Sequence, residues 1–162
     1  MEAKKEHSAS RYHDISCGHR VVGHENKCRH LHGHNYRVHF KCVADSLDAV
    51  GRVVDFGVIK EKLCMWIEDN WDHKFLAWAN DPVINCLHDL LGMDDAHHDS
   101  MEAYTAFEGS VVFVPFNPTA ENMAEHLVTV VGPIQLFGTG VRLVEVVIEE
   151  TAKCSASYKE EV

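Results

Sequence analysis

The chain has 162 residues, and a hydrophobic share of 46% supplies enough material for a packed core and rules against global disorder. Its net charge of −10 opposes nucleic acid as the main partner, because a phosphate backbone needs a basic footprint, while an anionic small molecule needs only a local basic pocket. No apolar run approaches the ~20 residues of a membrane span.

The length predicts one domain over residues 1–162. The charged and polar start, Met1 to Ser10, predicts no secretory signal and a frayed tail. The six cysteines, at 17, 28, 42, 64, 86 and 154, form no C-x-x-C pair and read as reduced thiols of a cytoplasmic protein.

Ile15, Cys17 and His19 alternate with Ser16 and Gly18, which predicts a strand with His19 on its apolar face. Val21 to Lys27 reads as a loop. Cys28-Arg29-His30-Leu31-His32-Gly33-His34 then packs one thiol and three imidazoles into seven residues. In an extended segment His32 and His34 share a face, with Cα atoms roughly 6.6 Å apart. Two imidazoles at that spacing converge on one metal ion. A catalytic zinc keeps three protein ligands and an open position, and His19 is the natural third. The competing reading is a polar strand end with surface histidines and a satisfied core His19.

Tyr36, Val38, Phe40 and Cys42 continue the strand on one face, with Asn35, Arg37, His39 and Lys41 on the other. Asp45 to Gly51 is a turn, and Asp55 caps a helix with Phe56, Ile59, Leu63, Trp66 and Ile67 at helical spacing. Asp72-His73 follows. It is either a carboxylate that orients an imidazole for proton transfer or a chance surface pair. Pro82 to Leu91 makes a helical turn or two, and Met93 to Ser100 is an exposed acidic excursion with His97-His98. Val111 to Phe116 reads as a buried strand. Asn117-Pro118-Thr119 starts a helix over Ala120 to Val131, which Gly132-Pro133 ends. In the last strand Val144, Val146, Ile148 and Glu150 share one parity, so Glu150 either lies past the core edge or receives hydrogen bonds from a ligand. Lys153 to Val162 reads as a polar tail.

Six motifs stand in order: Ile-Ser-Cys-Gly-His-Arg (15–20), Cys-Arg-His-Leu-His-Gly-His-Asn-Tyr (28–36), Val-Val-Asp-Phe (53–56), Asp-His-Lys-Phe-Leu (72–76), Asn-Pro-Thr-Ala-Glu-Asn (117–122) and Glu-Thr (150–151). Together they resemble the 6-pyruvoyltetrahydropterin synthase superfamily. The likeness is nearer to the bacterial 6-carboxytetrahydropterin synthases of the queuosine pathway, because Cys28 stands four positions before His32 and the gap from His19 is short. The segment Asp81 to Ser110 is longer than in compact members.

The resemblance implies a metal site of His19, His32 and His34 holding zinc. It implies Cys28 as the catalytic thiol, Asp72 with His73 as the second proton-transfer group, and Glu150 gripping the pterin with Thr119 beside it. It further implies an α+β tunnelling fold: a four-stranded antiparallel sheet with two helices on one face, here with an insertion around 81–110. Subunits of that fold assemble as homo-oligomers, commonly hexamers, with active sites between chains. The implied reaction is a lyase step from 7,8-dihydroneopterin triphosphate to 6-carboxy-5,6,7,8-tetrahydropterin, with acetaldehyde and triphosphate released. The alternatives are the same scaffold stopping at 6-pyruvoyltetrahydropterin, or a zinc-binding protein without catalysis.

Overall fold

A computed structural model describes residues 6–92 and 98–161. Its frame is a six-stranded sheet in the order β4-β3-β1-β2-β5-β6. The strands are β1 (Ser8–His19), β2 (His32–Ala44), β3 (Phe75–Trp78), β4 (Val111–Val114), β5 (Val141–Thr151) and β6 (Cys154–Lys159). The expected four antiparallel strands are β1, β2, β5 and β6. Two short strands extend the sheet, since β3 runs parallel to β1 and β4 parallel to β3.

The alternation of β2 explains which face closes. Tyr36, Val38, Phe40 and Cys42 are all buried, as are Ile15 and Cys17 of β1 and Val146 and Ile148 of β5. Against them pack Leu63, Ile67 and Trp71 from one helical stretch and Met123, Leu127 and Val128 from another. The first stretch runs α1 (Phe56–Ile59), a π turn (Lys60–Cys64) and α2 (Met65–Asn70), capped by Asp55, whose side chain accepts from the Gly57 N–H. The second runs α5 (Ala120–His126), a π turn (Leu127–Val131) and α6 (Gly132–Gln135), with Thr119 at its N-cap. Each buried aliphatic or aromatic side chain contributes about 1.5–3 kcal/mol, so these two faces hold the fold together.

Four expectations are corrected. The first strand begins at Ser8, so residues 8–10 pair with Lys41 to Val43 rather than fray. Residues 154–159 form edge strand β6, not a tail. Gly132-Pro133 does not stop the helix: Val131 and Gly132 keep helical dihedrals, and Pro133 sits where the π turn passes into α6. A Cβ at Gly132 would come within 2.9 Å of the Leu143 side chain, so a glycine lets the helix lie close on β5. The insertion is more helical than expected, with α3 (Pro82–Gly92) and α4 (His98–Ser110); part of the expected polar excursion, including His97, lies outside the described residues. No helix among the described residues is long and apolar enough to cross a membrane.

Candidate metal centre and active site

The β1–β2 register sets His19 opposite His32 and Cys17 opposite His34. All four side chains point to the core face, because they share parity with Ile15 and Tyr36. The hydrophobic filling stops at Cys17 and Tyr36, and three imidazoles occupy the end of the layer. Their ligand atoms lie within 4.8 Å of one another. Four ligands around a zinc at 2.0–2.1 Å sit about 3.3 Å apart, so small side-chain adjustments close the set.

Backbone carbonyls settle which ring nitrogen is free. His19 Nδ1 is 2.7 Å from Pro118 O, and His32 Nδ1 is 2.7 Å from His30 O. A carbonyl only accepts, so both Nδ1 atoms carry the proton and both Nε2 atoms present lone pairs. Those two Nε2 atoms face each other at 3.1 Å. Two lone pairs at that distance repel unless a cation or a proton lies between them. His34 Nε2 is buried without a hydrogen-bond partner. Glu150 Oε1 comes within 3.2 Å of it but off the line that a hydrogen bond requires. Burial lowers the pKa of His19 against the pull of the Pro118 carbonyl and Glu150, and burial lowers that of His34 in the same way. Two imidazoles with carbonyl-held Nδ1 atoms, and a third whose Nε2 has no partner, form a donor set zinc takes.

The Tyr36 hydroxyl is 3.3 Å from His19 Nδ1 and 3.2 Å from Nε2, with the rings at 86°. Near-equal distances place the hydroxyl over the ring face, off both the Nδ1–H direction and the Nε2 lone-pair axis. Burial raises the Tyr36 pKa far above the usual range, so the hydroxyl stays neutral. The Cys17 thiol, buried beside Asp72 and Glu150, is pushed up to about 12 and stays protonated.

Cys28, Thr119 and Glu150 line one cavity of about 350 Å³ together with Val21, His24 and Cys154. Glu150 connects this cavity to His34. Cys28 rides on a short 3-10 turn (Lys27–Arg29), and its carbonyl accepts from the Val21 N–H at 2.8 Å. The Asn117 side chain clamps Val22 by both backbone groups, at 3.0 and 2.9 Å. That clamp brings Pro118 over His19 and Thr119 to the cavity wall. The Thr119 hydroxyl caps α5 by accepting from the Asn122 N–H at 3.2 Å, so its nearest duty is to the helix.

Asp72 and His73 are not brought to this cavity. Asp72 Oδ1 accepts from the Ser16 N–H at 2.8 Å, and the His73 N–H donates to Ser16 O at 2.7 Å. The pair therefore sits on the β1 edge, and the His73 side chain, 82% exposed, lines recesses with Ser16 and Asn35 on the opposite face of the sheet. His73 Nδ1 hydrogen-bonds Asp72 Oδ2, as a carboxylate-oriented imidazole should. Burial works to raise the Asp72 pKa, but the Ser16 amide and His73 prevail and hold it below the usual carboxylate value. His73 adopts φ 56°, a left-handed conformation that a non-glycine residue takes only when its surroundings impose it.

Sequence reasoning missed the Pro118 and His30 carbonyls, 99 and 2 positions from their histidines, because a backbone acceptor leaves no residue-type signal at either distance. It also missed Arg20 and Asp81, an ion pair at 2.6 Å beside the Cys28 turn in which Asp81 is buried and Arg20 partly so. An arginine directly after a ligand histidine was the available clue.

The family model described as 6-pyruvoyl tetrahydropterin synthase matches residues 8–161. A Rickettsia bellii protein named 6-carboxy-5,6,7,8-tetrahydropterin synthase is 34% identical over 137 residues, 82% of this chain and 88% of its own. One of the same name from Aquifex aeolicus is 36% identical over 140 residues, 84% of this chain and 78% of its own. Among solved structures, an uncharacterized Wolinella succinogenes protein superposes with TM-score 0.82 at 24% identity, covering 98% of this chain and 100% of that one. Caenorhabditis elegans 6-pyruvoyl tetrahydropterin synthase does so with TM-score 0.61 at 20% identity, covering 99% and 100%. At such identities these structures speak for the fold alone, which is the tunnelling fold. A family match over nearly the whole length, relatives above 30% identity and a common architecture place this chain in the 6-pyruvoyl tetrahydropterin synthase family.

Proposed function

We propose that the chain is a zinc-dependent lyase that converts 7,8-dihydroneopterin triphosphate and water to 6-carboxy-5,6,7,8-tetrahydropterin, triphosphate and acetaldehyde. The observation that carries this reading is the convergence of three imidazole ligand atoms, with the His34 Nε2 buried and unpartnered, beside a carboxylate that borders the Cys28 cavity. The names of the Rickettsia and Aquifex relatives support the 6-carboxy product over the pyruvoyl one.

His19, His32 and His34 would hold the zinc, which when bound supplies Lewis-acid stabilisation of charge developing on side-chain oxygens. Cys28 takes a proton from the substrate side chain. Glu150 accepts paired hydrogen bonds from the 2-amino group and the ring N–H of the pterin, a donor pair that fits a carboxylate. Thr119 adds the backbone around it to the ring site. His73, oriented by Asp72, moves the second proton. Because that pair lies on the other sheet face, it serves the site of a neighbouring copy, and the working form is a homo-oligomer, a hexamer by family resemblance. Six cysteines without a disulfide among them fit a cytoplasmic setting.

The test is product analysis. Zinc-loaded protein is incubated with 7,8-dihydroneopterin triphosphate, and pterins, triphosphate and acetaldehyde are quantified. Equal yields of triphosphate and acetaldehyde support the reading. Triphosphate without acetaldehyde assigns the pyruvoyl reaction instead, and zinc binding with neither product leaves a non-catalytic metal binder.

A further inference from the structure

Arg20 follows the last residue of β1 and has no part in the metal set. Its Nε donates to Asp81 Oδ2 at 2.6 Å, with side chains 14% and 1% exposed. Asp81 is also the residue before α3, and its Oδ1 accepts from the Val83 N–H at 2.9 Å, capping that helix. The Arg20 guanidinium has a second use. Its Nη1 donates to Arg29 O at 2.8 Å, directly after Cys28, while the neighbouring Val21 N–H takes Cys28 O. Residues 20 and 21 thus hold two consecutive carbonyls of the turn that carries the thiol.

A largely desolvated ion pair is a poor way to gain stability, since an apolar pair of similar volume holds a fold equally well. What an apolar pair cannot do is direct a donor at a carbonyl. Arginine presents five N–H donors in a planar fork, so fixing Nε on Asp81 fixes where Nη1 points. We propose that Arg20, oriented by Asp81, is a positioning residue that sets the Cys28 thiol against its cavity, so that the residue before α3 braces the site. The proposal rests on the reading of Cys28 as the proton-moving thiol. The brace acts on chemistry rather than binding, because the Arg20 side-chain hydrogen bonds go to Asp81 and the Arg29 carbonyl and not to Glu150 or an imidazole.

Two variants of the full-length zinc protein test it. Arg20→Lys keeps a cation for Asp81 but cannot span Asp81 and the Arg29 carbonyl together. Asp81→Asn keeps the α3 cap and removes the charge that orients Arg20. The first readout is the rate of Cys28 carboxamidomethylation, resolved by peptide mass spectrometry and needing no pterin. The second is steady-state turnover. In both variants alkylation of Cys28 accelerates at least fivefold, kcat falls at least tenfold, KM stays within twofold, and zinc content per chain is unchanged. A merely structural role would lower the melting temperature and leave alkylation of the folded protein at the wild-type rate. Alkylation within twofold of wild type in both variants overturns the proposal. A wild type inactive on the pterin triphosphate overturns the reaction assignment instead, and the alkylation rates still decide the role of Arg20.

Discussion

His34→Leu should make the metal-free protein more stable and the zinc-bound protein less so. His34 is 18% exposed, and its Nε2 is buried with no hydrogen-bond partner. A desolvated, unpaired polar atom costs about 1–3 kcal/mol. Leucine removes that cost but loses the edge contacts of the ring with His19, His32 and Tyr36, at centroid distances of 5.2, 4.9 and 5.4 Å. Edge-to-face pairs are worth about 0.5–1.5 kcal/mol each at best, and less for imidazole, so the expected net gain is about 1 kcal/mol. Zinc reverses the order. One ligand carries about 3 kcal/mol of binding, so its loss weakens affinity on the order of 100-fold. At free zinc 100 times the wild-type dissociation constant, wild type gains about 2.7 kcal/mol and the variant about 0.4. Wild type then leads by about 1.3 kcal/mol, or roughly 3–5 °C in melting temperature for a chain of this size. Urea titrations of chelator-treated protein, with and without buffered zinc, measure both arms. A variant destabilised by 2 kcal/mol or more without metal, or one binding zinc as wild type does, refutes the argument about the unpaired nitrogen.

Three further outcomes are expected. Cys28→Ala should retain one zinc per chain by elemental analysis while turnover falls at least 100-fold; full activity would remove the thiol from the mechanism. Mixing inactive Cys28→Ala and His73→Ala proteins under subunit exchange should restore activity, since Cys28 and His73 line separate recesses of one chain and the proposed function joins them across chains; no recovery at any ratio counts against a shared site. Metal-free protein should lose stability as pH falls from 7.5 to 5.5. Burial lowers the pKa of His126, as it does for His19 and His34, so the unfolded chain binds protons first once pH drops below about 6.5, and stability is complete only above that value. His126→Phe, keeping a ring against Trp71 and Phe116, should flatten part of that slope, by up to about 1 kcal/mol in urea midpoints converted at each pH. Asp72, held low, acts only in the more acidic range where an unfolded aspartate protonates, so it does not enter this window.

The core of the site was legible because strand parity is a local property. His32 and His34 share a face by period two, and the same rule puts His19 beside Cys17. The α5 start was legible from Asn117-Pro118-Thr119, and the N-cap is Thr119. β6 was not, because Cys154 to Lys159 is a mostly exposed polar edge whose pairing with β5 comes from backbone ladders rather than burial. β4 was legible as a strand from its apolar run, although its burial pattern shows only Val114 fully covered, while β3 escaped notice because parallel pairing joins residues far apart in sequence, Leu76 with Val112 for example. Asp72 and His73 were recognised as a pair, but not their side of the sheet. Their hydrogen bonds to the Ser16 backbone fix that, and no side-chain pattern encodes it.

Gly18 and Gly33 face each other across β1 and β2, between the rungs that bear the imidazoles. A Cβ at Gly18 would come within 2.7 Å of the Phe75 ring, and one at Gly33 within 3.0 Å of Cys17 O. Bare backbone there opens the outer recess that His73 and Lys74 line, and the partition between that recess and the imidazole cluster is a single peptide layer. A thin, poorly polarisable wall transmits an electric field well. Whatever charge settles on the outer side is therefore felt by the three imidazoles on the inner side.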